Sequence, residues 1–177
     1  MLDTIDSNQT WEQLKLETVN IKVDLSIITH DAVSEHPFVN ISLNGFPQFG
    51  EICEKDAVVE IDVEIEDDTE NFLTIEYMNK DAKRDVVLGR ESLTNWPQVG
   101  GDGAISKDKR VIINSISFDD IELDFFQLTD PDTFRYEPID QSGGISAAGF
   151  DATKLSWNGK TTLRFTTPVY IWLLENL

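Results

Sequence analysis

From Val59 to Glu66 the chain reads Val-Glu-Ile-Asp-Val-Glu-Ile-Glu, apolar and acidic residues alternating without interruption. A period of two sends successive side chains to opposite faces, which predicts a strand buried on one face. Its aliphatic members are all β-branched and suit a pleated surface. After the turn-like Asp67-Asp68-Thr69-Glu70-Asn71 the alternation resumes from Phe72, with Leu73, Ile75 and Tyr77 on one side. Two such runs across a short turn predict a hairpin. Val19, Ile21, Val23, Leu25 and Ile27 mark another long strand. Val39, Ile41 and Leu43 lead into Asn44-Gly45, a two-residue hairpin signal. The run 111–118 is a strand that Asp119-Asp120 turns into Ile121, Leu123 and Phe125. Leu155 to Trp157 and Lys160 to Thr166 flank Asn158-Gly159, which predicts a second hairpin with the same turn chemistry. About nine short strands at this spacing predict an all-β fold, an antiparallel β-sandwich or jelly roll.

Helical patterning is confined to the ends. Thr10-Trp11-Glu12-Gln13 fits a capping box opening a short helix to about Glu17. Residues 168–177, Pro-Val-Tyr-Ile-Trp-Leu-Leu-Glu-Asn-Leu, are apolar nearly all round. Pro168 suits a first helical turn, so a short helical or extended appendage is expected there. Such a tail must be covered, by the body of the protein or by another subunit. Tyr170, Trp172, Leu173 and Leu174 are its candidates for assembly. The composition shifts after Gln127, through Pro131, Pro138 and the Gly- and Ser-rich 141–149. The expected organisation is an N-terminal arm (1–17), a sandwich (18–126) and a C-terminal extension (127–177).

Charge narrows the partners. With 33 acidic and 14 basic residues the net charge is −19. Such a surface repels nucleic acid and anionic membranes; it favours solubility, tolerance of salt, divalent cations or basic partners. No run of about 18 apolar residues occurs, and the acidic start does not read as a secretory signal. Cys53 is the only cysteine, so no intrachain disulfide forms.

Thr94 to Ile105 breaks all periodicity. It lies in a stretch of about 25 residues, Asp81 to Lys109, that reads as one long loop; loops of that length are functional or disordered. Trp96, Gly100, Gly101, Asp102 and Gly103 are its candidate contact residues. The glycines match neither a phosphate loop nor a dinucleotide fingerprint, and Asp102 lacks EF-hand spacing. Trp96 either stacks on a sugar, anchors in a partner's pocket, or folds back over the sandwich edge.

Catalytic patterns are thin. Glu60, Asp62 and Glu64 line one face at steps of about 6.6 Å. The stretch resembles the E-x-D-x-E strand of jelly-roll β-glucanases, which would make Glu60 nucleophile, Glu64 acid–base and Asp62 the residue between. In so acidic a chain it reads more simply as an ordinary solvated face, and the expectation is a protein that is not an enzyme. His30 and His36 lack a standard metal-ligand spacing. Cys53 reads as a small buried residue.

Two further resemblances run through the chain. Pro37 to Gly45, then Leu73 to Asp81, then Asp108 to Ile116 follow an order similar to that of the calcium-dependent xylan-binding modules, which are small β-sandwiches. That resemblance implies a calcium ion held by Asn79, Asp81 and Asp108, with a cell-surface glycan as partner; calcium takes six to eight oxygen ligands. The whole chain also looks similar to small structural proteins of tailed phages, marine ones in particular. The strand set, the hairpin from Ile112 to Leu123 and the closing 168–174 carry that likeness. It implies a virion component — capsid decoration, neck, tail or fibre — assembled in the host cytoplasm with other virion proteins or copies of itself.

Overall fold

The structure, a computed structural model, describes residues 15–30, 35–81, 84–88, 105–139 and 151–176. Its strands are β1 (Leu16–Ile28), β2 (Phe38–Leu43), β3 (Phe46–Ile52), β4 (Ala57–Glu66), β5 (Glu70–Met78), β6 (Val86–Leu88), β7 (Ile105–Asp108), β8 (Arg110–Phe118), β9 (Ile121–Glu122), β10 (Phe134–Pro138), β11 (Lys154–Leu155) and β12 (Gly159–Thr166). Two short helices are α1 (Phe125–Thr129) and α2 (Val169–Asn176).

Two antiparallel sheets face each other. The first runs β11-β8-β1-β4, with β9 added to β8; the second runs β10-β12-β5-β2-β3. Alternation explains the packing. Val19, Ile21, Val23 and Leu25 of β1 are fully buried, as are Leu73, Ile75 and Tyr77 of β5, Leu163 and Phe165 of β12, and Phe118 of β8. Both sheets turn their apolar parity inward, and the acidic parity of β4 faces out. The all-β sandwich with a short C-terminal helix is therefore the fold.

The connections correct several local expectations. Asn44 and Gly45 sit at φ 52° and 81° and close a true β2–β3 hairpin. Asp119 and Asp120, at φ 48° and 65°, do the same for β8–β9. The runs 59–66 and 72–77, by contrast, do not pair. β4 joins β1 in the first sheet, while β5 lies between β2 and β12 in the second. Periodicity shows which face is buried, not which strand lies alongside. Thr69 and Thr167 lock the crossing: both hydroxyls bond the Glu66 carbonyl, each at 2.7 Å, and the Thr167 amide donates to the Thr69 carbonyl at 3.0 Å.

Asn158-Gly159 likewise crosses between sheets, from β11 on β8 to β12 on β10. Asn158 mimics a strand partner for Lys80, accepting from its amide at 2.8 Å and donating to its carbonyl at 3.0 Å. Gly159 is required by crowding, since a Cβ there would meet the Glu137 carbonyl oxygen at 2.5 Å.

The boundary expected at 126/127 does not divide the core, because β10, β12 and α2 complete it. Phe125 opens a helix and does not extend the β9 strand. Asp124 and Gln127 form a reciprocal cap, at 3.0 and 2.8 Å. At the N-terminus Leu16 and Glu17 already belong to β1; the expected capping box at Thr10 lies outside the described residues. Inside the stretch 81–109, β6 and β7 pair as a two-stranded ribbon.

Strand register defines two poles. One carries the start of β1, the β2–β3 turn, the β4–β5 crossing and α2; the other carries the end of β1, Asn79, Lys80 and the β6–β7 ribbon.

Candidate functional site

At the first pole, β12 runs into Thr167 and Pro168, and α2 begins at once. Its first free amide, on Val169, donates to both carboxylate oxygens of Glu17 on β1, at 3.2 and 3.0 Å. A carboxylate at that position caps the orphan donor and opposes the positive end of the helix. The far end is tied too: Gln127 of α1 donates to the Asn176 carbonyl at 3.1 Å. So held, α2 divides its apolar residues. Val169, Trp172 and Leu173 are buried, and Trp172 stacks edge-on against Phe118 and Phe165 at 5.9 and 6.1 Å between ring centres.

Tyr170, Ile171 and Leu174 face outward at 62%, 50% and 57% exposure. The four assembly candidates thus separate. Trp172 and Leu173 belong to the core, Tyr170 and Leu174 to the surface, and Ile171 joins them unforeseen. A wheel nearly apolar all round hides which arc meets the body; only the direction of entry from β12 decides it. Leu16 and Phe46, both strongly exposed, lie at the same pole.

The second pole holds the residues expected around calcium; lysines contact Asp108 and the Asn79 main-chain carbonyl, and Arg84 contacts Asp81. Asn79 spends its amide on the chain: its oxygen accepts from the Phe38 amide at 3.0 Å and its nitrogen donates to the His36 carbonyl at 2.9 Å. Asp108 meets the Lys80 ammonium at 2.5 Å, and Asp81 pairs with Arg84 at 2.8 Å. Lys80 also donates to the Ser156 carbonyl and lies 4.9 Å from the centre of the Trp157 ring. Burial pushes its pKa down, against the pull of Asp108.

Deeper still, Lys109 pairs with Asp85 at 2.7 Å, both side chains about 1% exposed, and donates to the Asn79 carbonyl at 2.8 Å. The two ammonium groups thus lie among the residues for which the resemblance implies a metal ion. Among the described residues no group of three His, Cys, Asp or Glu side chains is arranged to hold one. The burial of Lys80, Asp85 and Lys109 carried no sequence signal, since loop lysines and aspartates are ordinarily solvated.

Trp96, Gly100, Gly101, Asp102 and Gly103 lie outside the described residues. Glu60, Asp62 and Glu64 stand exposed on the outer face of β4. Glu60 pairs with Lys22 at 3.5 Å and Asp62 accepts from Asn20 at 2.8 Å. His30 bonds the Asp85 carbonyl at 2.9 Å, fixing a loop. Cys53 is buried, and burial raises its thiol pKa, as a small core residue requires.

A groove of about 410 Å³ opens between the edge strands β3 and β4 at the first pole, over Leu43, Phe46, Val63 and Ile65. Against known proteins, the chain matches no family model, no curated protein and no solved structure.

Proposed function

We propose that this protein is a non-catalytic assembly module, a virion-associated structural or attachment protein of a tailed phage, which self-associates through α2. The observation that carries the assembly reading is the outward apolar face of Tyr170, Ile171 and Leu174, on a helix rigidly tied at both ends. The phage assignment rests on the resemblance of the strand set and closing segment described above. The occupant of the face is a second copy of the chain. A two-fold axis beside α2 sets the same patch on itself, the commonest way for like chains to associate. Each copy carries a net charge of −19, so contact strengthens as salt screens the repulsion.

Light scattering in low and in high salt tests this. The expected result is a mass above the monomer that rises with salt and returns to the monomer in a Tyr170→Ser/Leu174→Ser variant with unchanged melting. A wild-type chain that stays monomeric in both salts rules the reading out. Deleting 168–177 is the wrong instrument, because it also strips Trp172 from Phe118 and Phe165.

A further inference from the structure

Strand β4 closes the first sheet. It pairs with β1 through ten register positions, from Leu16↔Glu66 to Leu25↔Ala57, and among the described residues nothing pairs with its other side. An unpaired edge of that length presents a row of backbone donors and acceptors that can template another strand. Proteins blunt such edges with proline, bulges, brevity or charged side chains, and β4 has only the last, a row of acids that turns away another acidic strand but not a basic one. β3, which ends the second sheet on the same flank, carries Pro47 and a register shift in its pairing with β2. β4 has neither a proline nor a shift against β1. The groove between the two edges has an apolar floor of Leu43, Val63 and Ile65, with Phe46 at its mouth.

We infer that the β4 edge accepts an extended segment of a partner protein in which Lys or Arg alternates with apolar residues. Such a segment becomes the next strand of the first sheet. Strand addition draws its affinity from main-chain hydrogen bonds and its specificity from side chains at alternate positions. On β4 the two parities differ sharply. Inward, Val63 and Ile65 line the groove and Val59 and Ile61 are buried in the core, so the partner's inward residues are apolar where they meet Val63 and Ile65. Outward stand Glu60, Asp62, Glu64 and Glu66, so the residues beside them are cationic. Lys22 on β1 answers Glu60, and among the described residues no cation pairs with Glu64 or Glu66.

Charge also rejects the nearer alternatives. A second β4 brings the same four acids onto one face, and like charges side by side across strands are unfavourable. The arm 1–14 holds Asp3, Asp6 and Glu12 and no basic residue. This inference is independent of self-association through α2.

The test uses the full-length chain and a blocked synthetic peptide alternating lysine with valine. Its controls are a glutamate–valine counterpart and a lysine peptide of equal charge with proline at alternate positions, which cannot pair. The expected result is calorimetric binding of the lysine–valine peptide alone, weakening with salt, with new protection of β4 amides against hydrogen exchange. Glu64→Lys/Glu66→Lys, at two exposed positions, should weaken it at least about tenfold while leaving exchange in β1 unchanged. Tyr170→Ser/Leu174→Ser should bind as the wild type does, which separates this site from the α2 face. Equal binding of the proline peptide, protection elsewhere than β4, or no binding overturns the inference.

Discussion

Lys109 shows how one residue governs the second pole. Its ammonium is fully buried, paired with Asp85 and bonded to two main-chain carbonyls, those of Glu35 and Asn79. Removing one partner of a buried pair leaves an uncompensated charge. Lys109→Met is therefore expected to cost about 3–5 kcal/mol in urea unfolding. Lys109→Met/Asp85→Leu should cost less than the sum of the two single changes, because neither charge is then stranded; additive losses would show that the two do not interact. Asn79 and Asp108 were legible as polar residues at strand ends. That Lys80 and Lys109 would fold inward onto them was not, because a lysine's long stem reaches water or core equally well from the same sequence position.

Elements were legible where the signal was local. The Asn44-Gly45 and Asp119-Asp120 turns form as read, since left-handed φ at consecutive positions is a property of those residues. Asn158-Gly159 has the same chemistry and a different use. Its glycine accommodates the backbone of Glu137 and Pro138, at φ 157°. Gly159→Ala forces a Cβ onto that backbone and should cost about 1–3 kcal/mol by thermal or urea unfolding. The α1 cap was present in Asp124-Phe125-Phe126-Gln127, and strand alternation through Leu123 obscured it.

For the whole molecule, two buried tyrosines set the alkaline limit of the fold. Tyr136 exchanges hydrogen bonds with the main chain of Trp157, and burial pushes its pKa up to about 12. Tyr77 shifts further in the same direction, by burial and then by the charges of Asp85 and Asp108. Above pH 10 the unfolded chain ionises these phenols while the folded chain keeps its protons, so stability falls as pH rises. Tyr136 alone should account for up to about 2 kcal/mol lost between pH 10 and 12. Lys80 acts oppositely below about pH 10, where its depressed pKa makes the folded chain shed a proton first. Urea titrations across that range should show a flatter decline in Tyr136→Phe; an unchanged slope would show that the phenol stays wet.

The amino-acid sequence by itself determined the long alternating strands and their buried faces, the two hairpin turns that require left-handed backbone, and a net charge of −19, but not β6 or β7, which carry no such alternation, or the short β10. These follow from the period of two and from single-residue backbone preferences, which act between neighbours in the chain. The tertiary structure decided which strands lie alongside one another, which arc of α2 meets the core, and that Lys80 and Lys109 fold inward at the second pole. Each of those outcomes depends on a residue far away: Glu17 at the start of α2, Thr167 at the β4–β5 crossing, Asn158 beside Lys80. Pairing between distant segments is chosen by the joint burial of two faces, and one segment's pattern carries information about only one of them.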